Sequence, residues 1–183
     1  MLFIPSELPG AWLIEPEFLG DDRGAFARSW CRREFEERGL NPRLAQCNIS
    51  TNRRQGTVRG MHFQREPHAE TKLVRCTRGA ICDVIVDLRP GSPTFHRWSA
   101  FELSADNHRL LYIPAGFAHG FQTLTDDTEV FYQMSCEHQP GYSFGVRWND
   151  PAIAVEWPRP ISVISDRDAT WPDMTRPIAV EIN

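Results

Sequence analysis

Apolar and polar residues alternate along much of the chain between residues 44 and 148, and this period of two is typical of half-buried β-strands. Segment 81–88 is the clearest case, with Asp83 and Asp87 on one face and apolar side chains on the other. Turn residues separate this segment from further predicted strands at 95–103, 109–113, 119–124 and 129–136. Short strands at this spacing predict an all-β sandwich or small barrel.

Only one clear helix is predicted before the tail, over residues 30–38, with Ser29 as its N-cap and Gly39 as its stop. The tail after Trp157 is rich in proline and is predicted to pack over the barrel in irregular form or as short helices. A length of 183 residues fits one domain with a real core. The predicted single domain 1–183 comprises an arm and helix (1–43), a barrel (44–150) and a tail (151–183).

Composition excludes several classes of function. The formal net charge of −4 argues against general nucleic-acid binding, which usually needs a basic surface. We see neither a signal peptide nor an apolar stretch long enough to span a membrane, so we expect a cytoplasmic protein. The cysteines are five in number and scattered, without C-x-x-C, which predicts reduced thiols that are mostly buried.

Segment 56–78 carries the densest set of side chains with candidate chemistry: Arg59, His62, Gln64 and Lys72. His62 and Gln64 lie two residues apart and therefore share a face of a strand. Arg59 would point the other way in a regular strand, but a bulge or bend at Gly60 would bring both inward. An exposed basic strand with a surface histidine is the alternative reading of this segment alone.

Three residues on other predicted strands are candidates for the same pocket. Residues 114–119 read Pro-x-Gly-x-x-His and end at His119, and Tyr132 lies within the apolar stretch 130–132. Asp83 interrupts an apolar strand and would orient a cation or a histidine. Taken singly, Tyr132 and His119 are better explained as structural residues, and Asp83 is explained equally well as one.

Taken together, these segments resemble the dTDP-4-dehydrorhamnose 3,5-epimerase family. The Pro-x-Gly-x-x-His pattern is the second motif of cupin barrels, so the resemblance implies a cupin-like jelly roll. The segments that carry it, in the order of the family, are 22–26 (DRGAF), 56–64 (GTVRGMHFQ), 72–75 (KLVR), 83–89 (DVIVDLR), 91–95 (GSPTF), 113–120 (IPAGFAHG), Tyr132 and 147–151 (RWNDP).

The resemblance implies a nucleotide-diphosphate 4-keto-6-deoxyhexose as substrate and proton transfer at C3 and C5 through an enolate. His62 would be the base, Asp168 the carboxylate that holds its other nitrogen, and Tyr132 the acid. Lys72 would face the enolate oxygen, and His119 would be a further polar contact. The residues implied in substrate binding are Arg59 and Gln46 on the diphosphate, with Arg23, Phe26, Asn48 and Arg167 as further contacts.

These roles agree with the chemistry of the side chains. A free imidazole titrates near pH ~6.5 and suits a base, whereas a phenol with a reference pKa of about 10 is neutral and can donate a proton. The guanidinium fork of arginine matches phosphate oxygens. The family forms dimers by exchanging N-terminal strands, so we expect a homodimer in which the region of Arg23 and Phe26 reaches a neighbour's pocket.

We predict no catalytic metal and no cofactor. Metal-binding cupins present His-x-His plus a carboxylate, whereas this chain has His62-x-Gln64, and the ammonium group of Lys72 would repel a divalent ion. Two alternatives remain: a metal-dependent cupin oxygenase or isomerase, and a cupin that binds a sugar nucleotide without turnover.

Several positions depart from the pattern of the family. Arg28, Phe63, His138 and Ser143 stand where relatives usually have glutamate, tyrosine, tyrosine and glutamate, and residues 46–48 read Gln-Cys-Asn. The residues implied in catalysis are retained, whereas positions implied in substrate recognition differ. This supports the hypothesis that the chain carries out the same chemistry on another substrate. That substrate would be a CDP- or GDP-linked keto sugar, or one inverted at a single carbon.

Overall fold

The computed structural model describes residues 1–174, which form two antiparallel β-sheets packed face to face. The six-stranded sheet has the spatial order β1 (Leu2–Pro5), β2 (Trp12–Glu15), β10 (Leu110–Ile113), β7 (Lys72–Arg78), β12 (Thr128–Met134) and β5 (Gln46–Asn52). The five-stranded sheet has the order β13 (Ser143–Gly145), β6 (Val58–Gln64), β11 (Phe117–Thr123), β8 (Ala80–Asp87) and β9 (Trp98–Ser104). A separate hairpin pairs β3 (Leu19–Asp21) with β4 (Gly24–Phe26). The predicted all-β sandwich is confirmed.

The central core lies between the two sheets. Strand β8 shows how the sequence builds it, because Ile81 and Ile85 point inward with Asp83 between them, while Val84 and Val86 point to the outer face. Val74 and Val130 supply the opposite side of this core from the six-stranded sheet. The interior is apolar along most of its length and becomes polar at one end, where the candidate site lies.

Each outer sheet face is covered by a separate element. Phe35 of α1 (Arg32–Glu36) is 1% exposed and packs against Leu73 and Tyr112 on the six-stranded sheet. The segment after β13 covers the five-stranded sheet, where Val146 and Ile153 pack on the outward side chains of the strands.

Helix α1 is shorter than predicted and has a different N-terminus. It begins at Arg32 with Cys31 as N-cap, and no side chain caps it. Glu34 in its first turn instead accepts hydrogen bonds from the N-terminal amino group and from Arg28, which fix this end of the helix. The prediction of a helix over 30–38 capped by Ser29 was therefore wrong in its bounds, although Gly39 does follow its end with a positive φ of 67°.

The strand predicted at 95–103 begins later, at Trp98. The reason is a longer turn, in which the buried Asp87 carboxylate accepts hydrogen bonds from Arg89, Ser92 and Thr94. These bonds hold residues 89–97 in a turn rather than a strand.

The cysteines are free, as predicted, but they are less buried than expected. Cys76 is buried and Cys47 is exposed, and the other three lie between these extremes. Burial raises the pKa of the Cys76 and Cys82 thiols to about 11.

The tail runs beside the start of β6 and leads back to the polar end of the sandwich. Thr57 and Val163 form a parallel bridge, and Val58 N–H donates to the Val163 carbonyl. The short helix α2 (Asp166–Ala169) follows. The prediction of an irregular, partly helical tail is confirmed for residues 151–174, and residues 175–183 lie outside the described part. Among residues 1–174, no helix is long and apolar enough to cross a membrane.

Candidate active site

A cavity of about 300 Å³ opens between the sheets at the polar end of the sandwich. Strands β5, β6, β7, β11, β12 and β13 and helix α2 line it. Of the eleven residues given a catalytic or binding role in the sequence, the structure brings eight together in this cavity: Asn48, Arg59, His62, Lys72, His119, Tyr132, Arg167 and Asp168.

The bend in β6 explains how Arg59 and His62 both reach the cavity. Gly60 has φ = 127°, a conformation that side chains with a Cβ rarely adopt. A Cβ at Gly60 would also collide with the backbone of Gly120 on β11. The pairing of β6 with β11 shifts register at this point, between His119 and Phe121. The predicted irregularity at Gly60 is thus present and turns both side chains inward.

His62 and Asp168 form a hydrogen-bonded pair although they are 106 residues apart in sequence. The distance from His62 Nε2 to Asp168 Oδ1 is 2.7 Å, and the backbone N–H of Gly60 donates to Asp168 Oδ2 at 3.1 Å. Ser165 caps helix α2 by accepting a hydrogen bond from the Asp168 N–H. Asp168 is 5% exposed, and two hydrogen bonds hold its carboxylate inside the protein while the cap fixes its backbone.

The charge of Asp168 is favoured by its neighbours. Burial by itself would raise the pKa of this carboxyl, but the hydrogen bond and charge of His62 and the Gly60 N–H outweigh it and leave the pKa below its usual value. Because Asp168 occupies Nε2 of His62, Nδ1 is the imidazole nitrogen left for a ligand.

Tyr132 lies on β12, with its ring 5.8 Å from that of His119 in an edge-to-face arrangement. Burial of the phenol, together with the negative charge of Asp83, raises the pKa of Tyr132 above its ordinary value, and the charge of Arg59 opposes this only in part. The phenol therefore stays protonated at neutral pH and can donate a proton.

His119 and Asp83 form a second imidazole–carboxylate pair behind Tyr132. His119 Nε2 lies 2.8 Å from Asp83 Oδ1, and both residues are buried. Burial raises the pKa of Asp83, against the opposing effects of His119 and Lys72. The structure places Asp83 where a carboxylate orients a histidine, which was one of its two predicted roles.

Lys72 reaches the cavity from the start of β7 and is only 5% exposed. Its Nζ lies 2.5 Å from Oε1 of Glu70, which also lines the cavity. Sequence reasoning missed Glu70. The available signal was its spacing of two residues from Lys72, which puts both side chains on one face of an extended segment.

Arg59 and Arg167 provide positive charge at the cavity. The guanidinium of Arg167 stacks on Trp171 with a distance of 5.2 Å and donates to Ser143 Oγ. Nε of Arg59 donates to the side chain of Asn52, a residue that sequence reasoning also missed.

Three residues implied in substrate binding do not line the cavity. Arg23 and Phe26 lie on the β3–β4 hairpin, where Phe26 is 76% exposed and Arg23 pairs with Asp21. Gln46 is outside the lining, and its Oε1 accepts a hydrogen bond from the backbone N–H of His138.

The positions that depart from the pattern of the family fall in two places. Phe63, His138 and Ser143 line the cavity, whereas Arg28 pairs with Glu34 beside helix α1. Three of the four departures can therefore change what the cavity accepts.

No group of three or more His, Cys, Asp or Glu side chains within residues 1–174 is arranged to hold a metal ion. His62 and His119 are cross-strand neighbours on β6 and β11, but each has a carboxylate of its own on Nε2.

Comparison with known proteins identifies the family of this chain. A family model described as dTDP-4-dehydrorhamnose 3,5-epimerase matches residues 5–176. The enzyme of that name from Sinorhizobium fredii is 45% identical over 175 residues, which cover 95% of this chain and 90% of the relative. The crystal structure of the Bacillus anthracis enzyme, with TDP and PPi bound, has a TM-score of 0.91 at 44% identity and covers 94% of this chain and 99% of that one.

A relative described as a 3′-monoepimerase has the same fold. The 3′-monoepimerase of Streptomyces bikiniensis, in complex with dTDP-quinovose, has a TM-score of 0.87 at 34% identity and covers 94% of this chain and 87% of that one. The close superposition on these structures confirms the predicted cupin-like fold, and the match extends over nearly the whole chain. This chain is a nucleotide-sugar epimerase and belongs to the dTDP-4-dehydrorhamnose 3,5-epimerase family.

Proposed function

We propose that this enzyme inverts C3 and C5 of a dTDP-linked 4-keto-6-deoxyhexose without a metal, with His62 as base and Tyr132 as acid. The observation that carries the proposal is the convergence in one cavity of an imidazole paired with a carboxylate, a protonated phenol and an ammonium group.

The first step removes a proton from a carbon next to the ketone. The C4 carbonyl acidifies the hydrogens on C3 and C5, since the resulting carbanion is an enolate. Nδ1 of His62 takes this proton, and the charge of Asp168 on Nε2 stabilises the imidazolium that forms. The ammonium group of Lys72 stabilises the negative enolate oxygen.

The second step returns a proton from the other face of the sugar ring. Tyr132 donates its phenolic proton to the same carbon, so the carbon is inverted. The phenol is supplied in the protonated form because its pKa is raised by burial and by Asp83. His62 then holds a proton and Tyr132 lacks one, and exchange with water restores both groups.

The donor set favours chemistry without a metal. Gln64 stands where a metal-binding cupin has histidine, and its side chain is fully engaged with backbone groups of His68, Glu137 and Gln139. Lys72 places a positive charge in the cavity, which disfavours a divalent ion there.

The nucleotide diphosphate would be held by Arg59 and Arg167 at the cavity, whose guanidinium groups can form paired hydrogen bonds with phosphate oxygens. We take dTDP as the nucleotide because relatives with 44% and 34% identity carry TDP or a dTDP-sugar.

The active unit would be a homodimer. The β3–β4 hairpin exposes Leu19 and Phe26, 75% and 76% accessible, at a distance from the cavity of its own chain. Exposed apolar residues on a hairpin are suited to contact with a partner. Arg23 and Phe26 would then contact the nucleotide in the cavity of a second subunit.

Inversion of one carbon only, or of another sugar, is the second candidate. It is favoured by Phe63, His138 and Ser143, which line the cavity and depart from the residues common in relatives. A changed cavity wall alters how the sugar can turn, and therefore which carbon faces His62.

Incubation with dTDP-4-keto-6-deoxyglucose in D₂O tests the proposal. We expect deuterium at C3 and C5, detected by NMR or mass spectrometry, with a rate that falls on the order of 10²–10⁴-fold in His62→Ala and Tyr132→Phe. Tyr142→Phe is the matched control, because this exposed tyrosine does not line the cavity.

Other outcomes separate the alternatives. Deuterium at one carbon only would favour the second candidate. Tight dTDP binding without exchange would indicate a binding protein, and exchange that stops after dialysis against a chelator and returns with a divalent metal would refute the metal-free mechanism.

A further inference from the structure

Arg59 is the arginine at the cavity whose guanidinium is held by a buried side chain. Its Nε donates to Oδ1 of Asn52 at 2.7 Å, and its Nη2 donates to the Thr51 carbonyl at 3.4 Å. Nη1 has no hydrogen-bond partner among residues 1–174, and Arg59 lines the cavity. One edge of the guanidinium is thus fixed by the protein, while the rest remains available to a ligand.

Asn52 is itself locked in place. It is 4% exposed and lies at the end of β5, directly opposite Thr128 of β12. Its Nδ2 donates to the carbonyls of Thr128 and Ser50, at 3.3 Å in each case. These bonds assign the amide orientation, because only the nitrogen can donate to the two carbonyls, and this leaves Oδ1 for Arg59.

The groups that hold Arg59 are neutral. Other arginines in the described chain are held by carboxylates, as Arg89 is by Asp87 and Arg109 by Glu15. Within residues 1–174, Arg59 has no acidic partner within ion-pair distance, only an amide and a backbone carbonyl. A neutral acceptor fixes the orientation of the guanidinium and leaves its positive charge uncompensated, which is what binding of an anionic ligand requires.

We propose that Asn52 is a positioning residue that orients Arg59 for the diphosphate of the substrate. The inference rests on the proposed function, since it takes Arg59 to be a phosphate ligand. Ordering a long arginine side chain loses conformational entropy. Because Asn52 orders Arg59 when the protein folds, this entropy is not lost when the substrate binds.

Titration calorimetry with dTDP measures the effect without turnover. In Asn52→Leu, which has a similar volume and no hydrogen-bonding groups, we expect Kd for dTDP to rise about tenfold, the value of one ordinary hydrogen bond. Asn52→Ser, whose shorter side chain cannot reach Arg59, should give a similar rise while keeping a polar group at the site. In steady-state assays, KM should rise and kcat should change little, because the diphosphate is remote from the reacting carbons.

Gln122→Leu is the matched control. Gln122 is a fully buried amide that bonds the backbone of Arg159 at both ends and does not line the cavity. This variant should lower the melting temperature as Asn52→Leu does and leave Kd for dTDP unchanged.

A double-mutant cycle separates positioning of Arg59 from any other role. Arg59→Leu alone and Arg59→Leu combined with Asn52→Leu should bind dTDP equally weakly, because Asn52 has nothing left to orient. An unchanged Kd in both folded Asn52 variants would overturn the inference. So would a double variant in which Asn52→Leu raises Kd for dTDP by a further tenfold above that of Arg59→Leu alone.

Failure of the proposed function would be recognised separately. It would appear as a wild-type protein that neither binds dTDP nor exchanges deuterium. The orienting role would still be tested by the crystal structure of Asn52→Ser without ligand. There we expect Arg59 to leave its position, and an unmoved guanidinium would overturn the inference.

Discussion

Asp168 carries a negative charge at a buried position, and three neighbours make this possible. The His62 ring, the Gly60 N–H and the Ser165 side chain compensate the loss of solvent. The Asp168 carboxylate is therefore ordered in the protein without substrate, and it already bonds Nε2 of His62. At the scale of residues, the site depends on such pairs rather than on single reactive groups.

Asp168→Asn should lower kcat about 100-fold. The amide keeps a hydrogen bond with His62 but no longer stabilises a positive imidazolium, and its nitrogen favours the wrong tautomer of the ring. The rate of deuterium exchange is the measurement. Asp166→Asn on the same short helix changes the same charge at an exposed position and should leave the rate unchanged.

The same substitution has a signature in stability. The pKa of Asp168 is below its unfolded value, so its charge stabilises the folded state above the unfolded pKa of about 3.9 and this contribution is lost as the pH falls through the folded pKa. The difference in melting temperature between wild type and Asp168→Asn should be largest near neutral pH and shrink below about pH 4. A difference independent of pH would contradict the assigned shift.

Helix α2 is too short to be stable alone, and its position depends on what it packs against. Trp171, just after the helix, lies so close to Gly145 of β13 that a Cβ at residue 145 would overlap the indole ring. The parallel bridge at Val163 anchors the other end. At the scale of elements, β13 and the tail together decide whether Asp168 reaches His62.

Gly145→Ala should therefore act on the chemistry through α2. The added methyl group displaces Trp171 and with it Asp168, and a shift of about 1 Å at a catalytic group can cost up to ~100-fold in rate, so we expect at least a tenfold fall in kcat. Gly141→Ala is the control, because a Cβ there meets nothing within 4 Å. An unchanged kcat in Gly145→Ala, with Trp171 displaced in its crystal structure, would contradict this coupling.

One chain by itself presents the β3–β4 hairpin away from its cavity, and we propose that a second copy completes the site. Arg23 and Phe26 have no contact with the cavity of their own subunit. At the scale of the whole molecule, function would then depend on the exchange of an arm between subunits. The division of the chain into one domain over 1–183 stays a prediction.

Subunit complementation tests the exchanged arm. Phe26→Ala should lose affinity for dTDP, and His62→Ala should lose turnover. A refolded mixture of the two should recover activity, because a mixed dimer contains one cavity with an intact His62 and an intact partner arm. Light scattering should give twice the mass of one chain. A monomer, or a mixture no more active than its components, would contradict the arrangement.

Helix α1 shows where sequence-based prediction fails at the level of local structure. Ser29 has the side chain of an N-cap, but the helix begins three residues later, at Arg32, where Glu34 of the first turn pairs with the N-terminal amino group and with Arg28. The start of this helix is therefore set by tertiary contacts, which a capping residue in the sequence does not reveal.

Glu70 and Asn52 show the same for the site. Glutamate, as at Glu70, is usually found at the solvated surface. Asparagine at the end of a strand, as at Asn52, usually belongs to a turn. The role of Asn52 depends on tertiary structure, since β5 and β6 belong to different sheets and the packing of the two sheets brings Asn52 to Arg59. His62 and Tyr132 were predicted to share a cavity because the ordered segments resemble a family in which these two positions face each other, and both line the cavity.

The alternation of residues, the glycine at position 60 and the ordered motifs determined the all-β class, the family and eight of the seventeen residues that line the cavity. Only the tertiary structure decided that Asn52 holds Arg59 and that the hairpin with Arg23 and Phe26 lies outside the cavity of its own chain. The physical reason is that a period of two specifies the face on which a side chain lies, whereas its partner is set by strand order, register and the path of the tail.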